Sequence, residues 1–205
     1  PSNANYYLWL GRAFGRRAET SSFLTAASYA SKARENFERA VALNPKSVEA
    51  IMDLFEYYLQ APGFLGGGLE KARALSQKIN HLDPAEYSYA QARLAERQRE
   101  FGQAEQQLRR AVDLAPRQVG RMVDLAKFLS NQGRFEEADR AWQQADKIAP
   151  DSPKVMFERA STYVRSKRNL AEAKVLLEKY LKAPLTPEDP PRSEAQRLLR
   201  QANGG

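Results

Sequence analysis

Four prolines, Pro45, Pro84, Pro116 and Pro150, stand 39, 32 and 34 residues apart, and each closes the same short pattern. The pattern is an alanine, a second residue four positions on, a small or apolar residue three further, and proline five after that. Its copies are Ala33, Phe37, Ala40, Pro45; Ala72, Ser76, Ile79, Pro84; Ala104, Leu108, Ala111, Pro116; and Ala138, Trp142, Ala145, Pro150. Steps of four and three place the first three residues on one face of a helix, and proline stops that helix because it has no amide donor and clashes with the preceding turn. Each copy exposes an apolar stripe that it cannot bury alone. Stacking on the neighbouring copies is the way to cover it.

The stretch Leu129 to Pro150 is the cleanest copy: the end of one helix, a turn centred on Asn131-Gln132-Gly133, and a second helix. At the other end of the chain, Tyr6, Tyr7, Leu10, Ala13 and Phe14 lie at helical spacing, with Leu10-Gly11 followed by Phe14. Period and pattern together resemble the tetratricopeptide repeat (TPR), a helix-turn-helix unit. The resemblance implies an all-α fold, a right-handed α-solenoid of about five such units closed by a C-terminal capping helix. It predicts one domain over 5–203, with repeats at 5–45, 46–84, 85–116, 117–150 and 151–184 and the cap at 191–203.

Two stretches depart from the repeat. Glu19 to Ala30 delays the second helix of the first repeat, and either lengthens both of its helices or protrudes as a loop. Pro62-Gly63-Phe64-Leu65-Gly66-Gly67-Gly68 interrupts the second repeat and is the least generic feature of the chain. Together these insertions resemble a group of bacterial, often exported, TPR proteins of unassigned role. Elsewhere the boundaries are conventional. Ser47 and Ser152 stand where N-caps belong, Pro153 suits a first helical position, and Pro184, Pro187, Pro190 and Pro191 separate the last repeat from a helix carrying Ala195, Leu198 and Leu199. Arg192, Glu194, Gln196, Arg197 and Arg200 give that helix the polar outer face a solenoid end requires.

Composition narrows the chemistry. The 205 residues include no cysteine, so disulfides, thiolate zinc sites and thiol nucleophiles are ruled out. There is no apolar run long enough to span a bilayer. The cytoplasm suits such a chain, and so does the periplasm if a signal peptide precedes it. The net charge of +7 favours acidic partners in a general way.

Candidate sites fare poorly as catalytic ones. The glycine run invites a phosphate-cradling reading. However, Lys71 stands three residues beyond Gly68 with no Ser or Thr after it, and a helix rather than a strand precedes the loop. His81, the only histidine, reads as a helix-end residue before Pro84. Glu136, Glu137 and Asp139 read as a charged first turn. No catalytic residue, metal site or cofactor is assigned, and the chain is read as a non-enzyme.

The resemblance implies instead a protein-protein interaction scaffold or adaptor whose first helices line a concave groove. Here that lining is Arg12, Arg16, Glu56, Tyr89, Arg93, Arg97, Lys127, Asn131 and Arg165, mostly basic, so the expected occupant is an extended acidic protein segment. Gly63, Phe64, Leu65, Gly66, Gly67 and Gly68 form a second candidate, a recognition loop. Leu8, Arg12 and Asp53 stand where a carboxylate-clamping TPR wants lysine and asparagines, which argues against that subgroup. The alternative function is RNA or DNA binding by a basic face interleaving Tyr87, Tyr89, Arg93, Arg97 and Arg99. No nucleic-acid motif accompanies that face.

Overall fold

A computed structural model describes residues 2–204, apart from the side chains of Phe23 and Leu24. Over these residues the secondary structure is helical. In chain order the helices are α1 (Ala4–Glu19), α2 (Phe23–Leu43), α3 (Val48–Gln60), α4 (Leu69–Ile79), α5 (Pro84–Arg97), α6 (Phe101–Leu114), α7 (Val119–Asn131), α8 (Phe135–Ile148), α9 (Pro153–Ser166) and α10 (Leu170–Lys182), and α1 with α2, α3 with α4, α7 with α8 and α9 with α10 pack as consecutive pairs. A last helix, α11 (Arg192–Asn203), follows the proline-rich break. No helix is long and apolar enough to cross a membrane among the described residues.

Three of the helices, α1, α3 and α5, begin where a side chain satisfies free amides. Ser47 Oγ accepts from Ala50 N at 3.2 Å, and one carboxylate oxygen of Asp83 accepts from Ala85 N and Glu86 N, both at 3.0 Å, with Pro84 in the first turn. Ser152 differs from its expectation: Pro153 does open α9, but the serine side chain makes no capping bond. Of the two readings of Glu19 to Ala30, helix extension is the one realised. The segment contains no glycine or proline, and α2 takes it up from Phe23 onward to reach 21 residues.

The chain divides between Ala111 and Val112 into two compact units. In the first, α1 packs on α2, α2 on α3, and α3 on both α4 and α5. Their core holds Leu8, Phe37, Ile51, Leu54, Phe55, Leu75, Ile79 and Leu94. In the second unit α7 packs on α8 and α9, α9 on α10, and α11 closes over α9 and α10. Trp142, Tyr180, Leu129 and Leu177 are its largest fully buried side chains.

The four alanines of the repeat pattern, Ala33, Ala72, Ala104 and Ala138, are all buried. A methyl group is about what fits where paired helices approach closely. The capping helix buries Ala195, Leu198 and Ala202. Arg192, on its outer face, reaches back to donate to the carbonyls of Leu181 and Ala183 at 3.1 and 2.8 Å, satisfying acceptors that the end of α10 leaves open.

Candidate functional site

In the first unit the sequence-derived groove residues lie on α1, α3 and α5, and charge pairs join these helices. Arg12 on α1 reaches two acids of α3, with Nε 2.6 Å from Asp53 and Nη2 2.8 Å from Glu49. Its guanidinium also lies over the Trp9 ring, 4.9 Å from the centroid. One turn further along α3, Glu56 takes both Nε and Nη2 of Arg93 on α5, at 3.1 and 3.2 Å. Tyr89 Oη and Gln60 Nε2 complete the Glu56 carboxylate at 3.4 and 2.8 Å. The remaining amine of Arg93 donates to Glu96 at 2.9 Å.

These pairs are half-buried, and their protonation reflects it. Burial works against the Arg93 charge, yet Glu56 and its neighbours Tyr89 and Glu96 outweigh burial and move its pKa further up. At Asp53 burial dominates and pushes the carboxyl up, with Arg12 pulling the other way. The ladder is therefore a positioning device, since each exposed or half-exposed pair contributes only ~0–1 kcal/mol. Beside it, Leu59, Gln60, Arg93, Glu96 and Arg97 line an open cleft of about 410 Å³. Arg97 and Arg16 are exposed, on α5 and α1 respectively.

In the second unit Lys127 on α7 pairs with Glu158 on α9 at 2.7 Å, while Asn131 and Arg165 are exposed at the ends of the same two helices. Sequence reasoning placed Glu56 as the one acid of the wall. The structure adds Glu49, Asp53 and Glu96 in the first unit and Glu158 in the second. Helical phase was the available signal, because Glu49, Asp53 and Glu56 share one face of α3. Leu8, at the clamp position, is buried and belongs to the core.

The glycine-rich insertion forms one turn of 3₁₀ helix over Gly63–Leu65. Tyr57 Oη donates to the Leu65 carbonyl at 2.8 Å, Lys71 Nζ to the Gly66 carbonyl at 2.9 Å, and Gly68 N to the Tyr58 carbonyl at 2.8 Å. Gly66 N and Gly67 N donate to Gly63 O and Pro62 O. The amides that a phosphate cradle would need are thus already committed within the turn. Gly66 has a φ of 86°, and a Cβ there would run into the Arg34 guanidinium; one at Gly67 would run into the Ala61 carbonyl. Leu65 is half-buried, while Phe64 stands 74% exposed.

His81 is exposed, and no group of three or more acids or histidines among the described residues is placed to hold a metal ion.

Comparisons with known proteins bear on this arrangement. Residues 95–156 match the family model described as tetratricopeptide repeat. No curated protein matches the sequence. A thermophilic TPR protein from Thermus thermophilus is similar in structure, with 21% identity over 98% of this chain and 100% of that one and a TM-score of 0.65. A tetratricopeptide repeat protein from Parabacteroides merdae has 14% identity over 99% and 85% of the two chains and a TM-score of 0.63. PilF of Pseudomonas aeruginosa gives 15%, 98%, 83% and 0.52 for the same quantities. At these identities the likeness speaks for the fold alone. The tetratricopeptide repeat match is confined to residues 95–156, and over the rest of the chain it is the all-helical fold that is shared with these repeat proteins.

Proposed function

We propose that the protein is a non-enzymatic scaffold that holds an extended, carboxylate-bearing protein segment along its first helices. The observation that carries this reading is the cleft beside the α3–α5 charge ladder. There Glu56 and Glu96 occupy Arg93, while Arg97 remains exposed on the cleft wall next to apolar Leu59. A partner carboxylate gains a cation there without breaking a pair. The acids that pair with Arg12 and Arg93 make this face of the first unit less one-sided than its basic residues alone imply. Selectivity for acidic segments therefore rests on the exposed arginines.

The test is fluorescence anisotropy with labelled extended peptides of matched length that are acidic, neutral or basic, at low and high salt. Acidic peptides should bind best, and less well as salt rises. Arg97→Glu should slow their association and leave the melting temperature unchanged, because Arg97 is exposed. Equal binding of basic peptides, or an Arg97→Glu variant that binds acidic peptides as well as the parent, would refute the reading.

A further inference from the structure

The glycine-rich turn and a cleft in the second unit have complementary shapes and charges. The turn is a pedestal. Three hydrogen bonds from Tyr57, Lys71 and Gly68 fix its backbone, and Phe64 projects from its tip as the most exposed large apolar side chain among the described residues. A backbone fixed this way has little conformational entropy left to lose when its aromatic side chain docks, which suits an interface anchor. The groups bracing the pedestal are two cations, Arg34 against Gly66 and Lys71 on the Gly66 carbonyl, and one acid, Glu38, which is bound to Arg34 and Tyr58.

The cleft lies between the C-terminal end of α8 and the helices α9 and α10, and measures about 400 Å³. Its apolar lining is Met156, Val175 and Leu176, of which Val175 is 52% exposed. Three acids border it, Asp146, Asp151 and Glu172, against the cations Arg159 and Lys179. Arg159 is already committed, at 2.9 Å from Asp146 and 2.6 Å from Glu172, so the outward faces of those carboxylates are what an approaching molecule meets.

We infer that Phe64 of one molecule inserts into the Met156, Val175 and Leu176 cleft of a second molecule of the same chain, in a head-to-tail contact guided by charge. The ring is an aromatic of a size the cleft admits, and burying it removes two exposed apolar surfaces from water at once. The excess cation at the pedestal meets the excess acid at the cleft, which orients the encounter. Because knob and cleft are different surfaces, the contact is heterologous, and each molecule keeps one free knob or cleft for the next. This contact is independent of the groove proposed above.

Sedimentation velocity over a concentration series tests it. The parent should exceed its 23.2 kDa monomer mass increasingly with concentration, and less so in high salt. Phe64→Asp and Val175→Lys should each remain monomeric at every concentration, with parental circular dichroism because both sites are exposed. Val175→Trp, which fills the cleft instead of charging it, should do the same. Mixing Phe64→Asp with Val175→Lys supplies one intact cleft and one intact knob, so the mixture should form dimers and stop at twice the monomer mass. A parent that is monomeric throughout, association that survives Phe64→Asp, or a mixture that stays monomeric would each overturn the inference.

Discussion

Two glycines of α1, four residues apart, should respond to alanine in opposite directions. Gly11 is buried against α2, and a methyl group there would stand 2.6 Å from two carbons of the Phe37 ring, which is itself buried. At Gly15 nothing lies within 4 Å. Replacing an interior helical glycine by alanine gains about 0.8–1 kcal/mol of helix propensity at either site. Overpacking against Phe37 costs about 1–3 kcal/mol, so Gly11→Ala should be neutral to destabilising by ~2 kcal/mol. Gly15→Ala should simply stabilise. The propensity gain cancels in the comparison, which leaves the ring contact alone. For a chain of this size about 2–4 °C of melting temperature corresponds to each kcal/mol, so the two variants should separate by roughly 2–12 °C in far-UV circular dichroism melts. Adding Phe37→Leu to Gly11→Ala should recover part of the loss by returning space to the methyl group. Equal melting of the two single variants, or Gly11→Ala the more stable, would refute the close approach of α1 and α2 at this point.

Three further outcomes are expected. Burial and the hydrogen bond to Glu38 push the Tyr58 hydroxyl up to about 12, whereas an unfolded tyrosine titrates near ~10. Tyr58 therefore contributes stability that is complete below about pH 10 and declines as pH rises towards about 12, and Tyr58→Phe should flatten the melting-temperature slope over that window. Tyr180, fully buried, donates to the Pro190 carbonyl at 2.5 Å, so Tyr180→Phe should cost roughly 1–3 kcal/mol and speed proteolysis between α10 and α11. Ala138→Leu should cost about 1–3 kcal/mol in urea titration, since Ala138 is 1% exposed in a packed helix pair.

The helix pairs were legible because their signals are local. The four alanines and their partners repeat at helical phase, and Ser47 and Pro153 announce helix starts within a few residues. The extension of α2 was ambiguous, because serine, threonine and alanine suit both a loop and a helix; the absence of any breaker decided it. The charge ladder was half legible. Arg12 and Arg93 could be assigned to first helices, but their acids lie 41 and 37 residues away, and such pairing depends on how one helix is rotated against another. The glycine run was legible only as unusual. Glycine composition suggests freedom, while the Ala61 carbonyl, the Arg34 guanidinium and the Tyr57 hydroxyl that restrict the turn come from residues outside it.

That restriction divides the insertion into positions that can and cannot change. Gly67 admits no side chain without displacing the Ala61 carbonyl at the end of α3, and at Gly66 the φ of 86° strains any side chain, so stepwise drift at either is disfavoured and the turn is kept or lost as a block. Phe64, three-quarters in solvent, is under no such constraint, and exchanging it leaves the pedestal as it is. The chain thus carries a position at which a contact surface can be rewritten by a single substitution while the fold beneath it stays fixed. For descendants of this sequence, divergence in what the turn touches should run ahead of divergence in how the turn is built.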